Sequence, residues 1–249
     1  MLPARLLDVD GRTFRVWSSQ RGDAKATFVL VHGIGISHRL FSRLHGVLSA
    51  RHTVHTLDLP GFGGLPKPDD SPDVAEMAAG IATVLGRIGA GPVVAVGNSM
   101  GSQWVVELGA QRPDLVSHVV TIGPVADARH RSPLAQATAL GADMLREPPT
   151  ANTRVLMEYA RSGVRWYLQQ LPHMLSYRIE DRVADLAQPL LVLRGGWDPI
   201  AGREWCRRLR DGARRGRMVE VPRHPHLAQH TSPRATAAAL EWFLDEEGT

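Results

Sequence analysis

The fold is decided by the stretch Pro92-Val93-Val94-Ala95-Val96-Gly97-Asn98-Ser99-Met100-Gly101. It begins with an apolar run typical of a strand buried on both faces, and it passes directly into a G-x-S-x-G pattern. A helix is predicted to follow, over residues 99–111. A strand, a tight turn and a helix in this order expose a serine hydroxyl at the carboxyl end of a strand. The pattern therefore predicts that Ser99 is a nucleophile.

Outward from this stretch, strand-like and helix-like hydrophobic periods alternate along the chain, which is typical of an α/β fold with a largely parallel sheet. Asp10-Gly11 predicts a hairpin near the start. Further strands are predicted at 27–31, 53–57, 119–122, 190–193 and 218–221, and further helices at 73–88, 201–209 and 232–244.

The alternation is interrupted once. Residues 125–188 contain no convincing strand and are helical in pattern, with breaks at prolines. We therefore predict a core domain built from residues 1–124 and 189–249, with residues 125–188 as an inserted helical cap. An insertion at the carboxyl end of a strand would overhang the crevice in which α/β folds bind ligands.

A serine hydroxyl needs a general base, and the base needs an acid that orients it. Asp198 follows the strand at 190–193 in a Gly/Pro-rich loop, and His226 follows the last predicted strand. Both positions lie at the same sheet edge as Ser99, in the chain order Ser–Asp–His that accompanies a G-x-S-x-G turn. The three residues are therefore the predicted catalytic set.

Five segments carry a resemblance to one known family: His32-Gly33-Ile34-Gly35, Asp58-Leu59-Pro60-Gly61-Phe62-Gly63, Gly97-Asn98-Ser99-Met100-Gly101, Gly196-Trp197-Asp198-Pro199-Ile200, and Pro222 to Pro233. With them the chain resembles the α/β-hydrolase superfamily over nearly its full length. The resemblance implies a mostly parallel central sheet flanked by helices, with the insertion as a helical cap. It also implies that the backbone N–H groups of Ile34 and Met100 form an oxyanion hole.

Two alternatives remain open within the catalytic set. This chain has Pro225 where the family usually has glycine before its histidine, and His224 lies on the other side of that proline. His224 is therefore the alternative base to His226. Asp127, which follows the strand at 119–122, is the alternative acid to Asp198, because some relatives of the fold use that position.

The resemblance implies a serine hydrolase that cleaves a carboxylic ester, or a related acyl bond, of a small, apolar substrate through an acyl-enzyme on Ser99. A second hypothesis is hydrolysis of a carbon–carbon bond, because the serine turn and His226-Leu227-Ala228-Gln229 also resemble meta-cleavage-product hydrolases. A third is a small-molecule receptor with little turnover, because some α/β-hydrolase folds serve that purpose. An intact catalytic set argues against a purely structural domain.

Composition excludes several other classes. The 249 residues carry a net charge of +4, and the arginine-rich stretch at 203–217 has neither aromatic platforms nor a nucleic-acid motif beside it. The single cysteine, Cys206, excludes an internal disulfide and a cysteine zinc cluster. We expect no metal, no cofactor, no nucleic acid and no membrane partner, and a cytoplasmic protein without a secretory signal. The oligomeric state is left open.

Several side chains near the predicted site have a structural or a wall-forming interpretation. His32 and Asp58 are expected to brace loops. Trp166, Tyr159 and Tyr167 have roughly helical spacing in the insertion, which is more often packing than substrate wall. Met100 and Trp197 flank predicted catalytic residues and are expected to narrow the pocket.

Overall fold

The centre of the protein is an eight-stranded sheet. A computed structural model describes residues 4–129 and 131–248. The strand order across the sheet is β1-β2-β4-β3-β5-β6-β7-β8. The strands are β1 (Arg5–Val9), β2 (Arg12–Ser19), β3 (Thr27–Val31), β4 (Thr53–Asp58), β5 (Val93–Asn98), β6 (Val116–Ile122), β7 (Leu190–Gly195) and β8 (Gly216–Val221).

The six strands from β3 to β8 run parallel, whereas β1 and β2 form an antiparallel hairpin that continues antiparallel onto β4. Asp10 and Gly11 make the turn with φ of 53° and 74°, the region that a tight hairpin requires. Strand β5 is buried along its whole length, as its continuous apolar run predicts. The predicted mostly parallel sheet is thus confirmed, and the carboxyl ends of β3 to β8 meet at one edge.

Helices cover both faces of the sheet. On one face, the buried side chains of α2, α3 and α8 belong to one large apolar cluster, and on the other α1 and α10 contribute to a second. The helices are α1 (Ser42–Leu48), α2 (Val74–Ile88), α3 (Gly101–Gln111), α4 (Pro133–Met144), α5 (Pro149–Ser162), α6 (Val164–Ser176), α7 (Ile179–Arg182), α8 (Arg203–Gly212), α9 (Ala228–Thr231) and α10 (Pro233–Glu247).

The insertion, residues 125–188, holds α4 to α7, and its described residues, 125–129 and 131–188, contain no strand. It packs on the loops at the sheet edge. Trp166 is buried against Phe62, with ring centroids 6.1 Å apart, and the Ser162 hydroxyl donates a hydrogen bond to the Gly35 carbonyl at 3.0 Å. The helical character agrees with the sequence pattern, whereas the division into a core domain and a separate cap stays a prediction.

Candidate active site

Ser99 lies in the turn between β5 and α3 with a strained backbone. Its φ is +57°, in the left-handed region that side chains other than glycine rarely adopt, and such strain costs roughly 1–3 kcal/mol. The close approach of strand and helix explains the flanking glycines, because a Cβ on Gly97 would overlap the Gly101 carbonyl and one on Gly101 would overlap the Val31 carbonyl. The turn therefore holds a half-buried Ser99 at the carboxyl end of a rigid strand.

His226 and Asp198 come together in the loops that follow β8 and β7. His226 Nδ1 donates a hydrogen bond to Asp198 Oδ2 at 2.8 Å, and both side chains are almost fully buried. The other carboxylate oxygen, Oδ1, accepts the backbone N–H groups of Ile200 at 2.8 Å and Ala201 at 2.9 Å. With Asp198 fixed by its own loop, the histidine ring is held with a proton on Nδ1, which leaves Nε2 for other partners.

The third predicted member, Ser99, lines the same cavity as His226. His226 Nε2 is buried and has no hydrogen-bond partner among residues 4–129 and 131–248. The hydrogen bond from the Ser99 hydroxyl to Nε2 is therefore not formed in this structure. Long or unformed catalytic hydrogen bonds are common in active sites without substrate.

The two alternatives from the sequence lie outside this arrangement. His224 Nδ1 is 3.1 Å from the Thr231 hydroxyl. The Asp127 carboxylate accepts a hydrogen bond from Arg208 Nη2 at 2.6 Å. The structure thus brings Asp198 to His226 and gives both alternative residues different partners.

The electrostatics of the pair favour charge separation. Burial raises the pKa of the Asp198 carboxyl, but the charge of His226 and its hydrogen bond outweigh burial and hold that pKa below its usual value. Burial by itself would lower the pKa of His226. The charge and hydrogen bond of Asp198, with the charges of Asp143 and Glu147, instead raise it to about 9. An imidazolium is therefore strongly stabilised at this position.

The predicted oxyanion loop lies against the serine. Ile34 lines the cavity, and a Cβ on the neighbouring Gly33 would lie only 2.7 Å from Ser99 Cβ. Met100 immediately precedes α3, where the helix dipole and free N–H groups favour negative charge. Both backbone N–H groups are thus carried by segments adjacent to Ser99.

Two buried polar residues brace these loops, as expected. His32 Nδ1 donates to the Gly33 carbonyl at 2.7 Å, and the Leu59 N–H donates to its Nε2 at 3.1 Å. Burial lowers the pKa of His32, so the ring is neutral and bridges two loops. The Asp58 carboxylate accepts the His38 N–H at 2.8 Å and Arg15 Nη1 at 3.1 Å.

The cavity above Ser99 is small, about 60 Å³. Of the three aromatic residues of the insertion considered in the sequence analysis, two line the cavity and one does not. Tyr159 and Tyr167 line it, whereas Trp166 is buried beside Phe62. The expectation that Met100 and Trp197 narrow the pocket is wrong. Neither contributes to the described lining, because Met100 is buried in the apolar core and Trp197 is 55% exposed. Apolar wall residues include Ile36, Leu140, Met144, Val155, Met174 and Leu227.

Sequence reasoning missed two acidic residues of the insertion. The Asp143 carboxylate accepts the His226 N–H at 3.0 Å, and the Glu147 carboxylate accepts the Leu227 N–H at 2.8 Å. Both are buried, and both line the cavity. Asp143 is the penultimate residue of α4, whereas Glu147 lies in the segment between α4 and α5, and nothing in the sequence indicates that the histidine loop lies against them.

Gly123 is the other missed residue. It follows β6 with φ of +59°, and a Cβ there would lie 2.8 Å from His226 Nδ1 and 3.1 Å from Asp198 Oδ2. The position thus needs glycine for two reasons, the backbone angle and the nearness of the hydrogen-bonded pair. The only sequence signal is its place at the end of a strand.

Among residues 4–129 and 131–248, no group of three His, Cys, Asp or Glu side chains has a geometry that could hold a metal ion. Within the same part of the chain, no helix is both long and apolar enough to cross a membrane.

Comparisons with known proteins agree with this architecture. A family model described as "Alpha/beta hydrolase family" matches residues 28–239. A human (Lyso)-N-acylphosphatidylethanolamine lipase is 28% identical over 155 residues, which are 57% of this chain and 45% of the lipase. The chain thus spans less than half of that relative's length. A 2-(acetamidomethylene)succinate hydrolase of Mesorhizobium japonicum is 24% identical over 270 residues, covering 97% of this chain and 95% of the relative.

Among solved structures, a membrane phospholipase A described as a bacterial virulence factor superposes with a TM-score of 0.83 at 23% identity. The match covers 98% of this chain and 86% of that one. At this identity the likeness concerns the fold alone, which is the predicted one.

Proposed function

Because the chain belongs to the alpha/beta hydrolase family, we propose that it hydrolyses a carboxylic ester of a small, apolar substrate through an acyl-enzyme on Ser99. The family and its lipase relative support a hydrolase. The observation that carries the finer proposal is the buried hydrogen bond of 2.8 Å between His226 and Asp198, at the edge of the cavity that Ser99 lines.

In the proposed mechanism, Ser99 Oγ attacks the ester carbonyl carbon while its proton passes to His226 Nε2. The N–H groups of Ile34 and Met100 donate to the oxygen that becomes negative, and Asp198 stabilises the imidazolium. When the tetrahedral intermediate collapses, the carbon–oxygen bond to the alcohol breaks and His226 returns the proton to the leaving alkoxide. Water then attacks the acyl-enzyme by the same route and releases the acid.

The wall of the cavity supports an apolar substrate. Aliphatic side chains and the rings of Tyr159 and Tyr167 form most of it, and no lysine or arginine contributes to the lining that the structure describes. The succinate derivative in the name of the Mesorhizobium relative is a dicarboxylate. A cavity that carries Asp143 and Glu147 but no fixed lysine or arginine is poorly suited to a dianion. We therefore propose a different substrate for this chain.

A hydrolysis panel tests the proposal. Purified protein is assayed with p-nitrophenyl esters of increasing acyl length and with a coloured meta-cleavage diketone, beside a Ser99→Ala variant. Ser176→Ala is the matched control, because Ser176 is an exposed serine of α6. Ester turnover that is lost in Ser99→Ala and kept in Ser176→Ala supports a serine esterase. Faster turnover of the diketone would favour the carbon–carbon hydrolase, and no Ser99-dependent turnover would contradict the esterase proposal in favour of the receptor hypothesis.

A further inference from the structure

Glu147 has one carboxylate oxygen fixed and the other free. Oε1 accepts the Leu227 N–H at 2.8 Å, which ties the side chain to the histidine loop. Oε2 is buried and has no hydrogen-bond partner among the described residues. The residue is only 6% exposed, and it lines the cavity that contains Ser99 and His226. A buried carboxylate oxygen without a partner is costly, and a ligand that supplies a donor would remove that cost.

Glu147 shares the positive charge of His226 with two other carboxylates. Asp143, four residues earlier in the chain, also lines the cavity, and the positive charge of His226 is already matched by its partner Asp198. No lysine or arginine belongs to the described lining. Burial raises the pKa of both Asp143 and Glu147, that of Glu147 to about 7, and the charge of His226, joined at Asp143 by that of Arg146, offsets this only in part.

We propose that Glu147 is a specificity-determining residue that binds a protonated amine of the substrate through Oε2. This inference rests on the proposed ester hydrolysis, and it refines the apolar substrate to an amine-bearing ester in which the spacer is the apolar part. The ammonium would donate to Oε2, Asp143 would add a second negative charge nearby, and Ile36, Leu140 and Val155 would contact the methylene groups of the spacer.

An ammonium fits this position better than a hydroxyl group. Either could donate one hydrogen bond, but only a cation also compensates the buried negative charge. Hydrogen bonds between charged groups are also the stronger class. Removal of one such interaction is expected to cost roughly ten- to hundredfold in affinity.

Three esters that differ in one terminal group test the proposal: p-nitrophenyl 6-aminohexanoate, p-nitrophenyl heptanoate and the mono-p-nitrophenyl ester of heptanedioate. Their ends are cationic, neutral and anionic. We expect kcat/KM of the amino ester to exceed that of heptanoate by roughly ten- to hundredfold, with the heptanedioate ester the slowest. Equal rates for the amino ester and heptanoate, or a preference for heptanoate, would overturn the proposal.

The matched variants are Glu147→Gln and Glu246→Gln. Glutamine keeps an acceptor for the Leu227 N–H but removes the charge, and Glu246 is an exposed residue of α10. The amino-ester preference should disappear in Glu147→Gln and persist in Glu246→Gln. A preference that survives in Glu147→Gln would assign the recognition to another group.

Wild-type protein supplies a second measurement that does not depend on the folding of a variant. The ratio of kcat/KM for the amino ester and heptanoate cancels groups that act equally on both substrates, His226 and Asp198 among them. Because burial and the charge of Asp143 raise the pKa of Glu147 to about 7, the ratio should rise as the pH increases through this range. A ratio that stays flat from acid to neutral pH would contradict the proposal.

Binding separates this inference from the proposed function. Ser99-dependent hydrolysis of heptanoate without an amine preference would leave the esterase proposal standing and overturn this one. If no ester is cleaved, calorimetry with Ser99→Ala protein decides, with 6-aminohexanamide and heptanamide as the probes. Tighter binding of the amino amide, lost on adding Glu147→Gln, would support the amine site without any turnover, and equal binding would overturn it.

Discussion

The cavity has two sides that are built differently. On the sheet side, Ser99, Asp198 and His226 follow parallel strands β5, β7 and β8, and their positions depend on strand ends and tight loops. On the insertion side, the walls come from side chains of helices, such as Tyr159 of α5, and of the segment between α4 and α5, such as Glu147. From this difference we propose a division of work, with the chemistry on the sheet side and substrate selection on the insertion side.

The two sides are joined by direct contacts. The Asp143 and Glu147 carboxylates accept successive backbone N–H groups of the histidine loop, and the Ser162 hydroxyl donates to the Gly35 carbonyl beside the predicted oxyanion loop. Substitution of Asp143 or Glu147 would therefore affect the proposed base, His226, in two ways. It would remove a hydrogen bond to the backbone of the histidine loop, and it would change the charge that acts on the His226 ring. The comparison predicts large losses of rate for changes on the sheet side and smaller, pH-dependent effects for the insertion side.

The largest effect is expected for Ser99→Ala. Without the nucleophile the acyl-enzyme cannot form, and kcat for a p-nitrophenyl ester should fall by on the order of 10⁴–10⁶. Stopped assays with high protein concentration measure the residual rate, and Ser176→Ala controls for the substitution itself. If Ser99→Ala kept more than a tenth of the wild-type activity, Ser99 would not be the nucleophile, and the proposed role of the sheet side in the reaction would be contradicted.

A loss of roughly 10⁴-fold in kcat is expected for Asp198→Asn. Asparagine keeps the size of the side chain but cannot stabilise the His226 imidazolium, and it permits the wrong tautomer. Asp127→Asn is the control, because Asp127 is the alternative acid and its carboxylate pairs with Arg208 instead. A larger loss of kcat in Asp127→Asn than in Asp198→Asn would make Asp127 the acid of the catalytic set. His226→Gln and His224→Gln distinguish the two histidines in the same assay.

Gly123→Ala should cost about 10²-fold in kcat/KM, because the added Cβ would displace His226 or Asp198, and small misplacements of catalytic groups have effects of this size. A residue other than glycine at φ of +59° also lowers the free energy of unfolding, by about 1–2 kcal/mol. Gly141→Ala is the control on the insertion side, where a Cβ meets nothing within 4 Å. Similar activity in both variants would contradict the proposed importance of this strand end.

The sheet side could be predicted from the sequence because it depends on local rules. Apolar runs define the strands, the G-x-S-x-G turn defines Ser99, and parallel strand ends bring Asp198 and His226 to the same edge. The insertion side depends on contacts between distant segments. Asp143 is 83 residues before its partner His226, and no local pattern connects them.

The wrong expectation about the pocket wall has the same origin. Met100 and Trp197 are sequence neighbours of Ser99 and Asp198, but a neighbour on a tight turn points its side chain elsewhere. Met100 packs into the core below the turn, and Trp197 extends into solvent. Adjacency in sequence thus predicts where the backbone lies and fails to predict which side chains form the wall.

A smaller, pH-dependent effect is expected for Asp143→Asn. Burial by itself would lower the pKa of His226, but the charges of Asp198, Asp143 and Glu147 outweigh burial and raise that pKa to about 9. Removing one negative charge should lower that pKa, so the neutral base forms at lower pH. The acid limb of kcat/KM should therefore move to lower pH, measured with a neutral ester. Asp181→Asn is the control, because Asp181 is an exposed acid of α7, and it should leave the acid limb unchanged. If the acid limb also stayed unchanged in Asp143→Asn, the charge of Asp143 would have no effect on the proposed base.

The smallest effect is expected on stability, where Glu147→Gln should be stabilising at neutral pH. Burial raises the pKa of Glu147 from its ordinary value of 4.5 to about 7, so between these values the unfolded chain releases a proton that the folded protein retains. The free energy of unfolding of the wild type therefore falls as the pH rises through this window, by on the order of 1–3 kcal/mol. Glutamine carries no such proton and keeps the acceptor for Leu227. The melting temperature of the variant should thus match or trail that of the wild type at pH 4.5 and exceed it by a few degrees at pH 8, as measured by calorimetry. A constant difference across the window would mean that Glu147 gains a compensating charge in the folded protein, and the insertion side would then lack the uncompensated acid that distinguishes it from the sheet side.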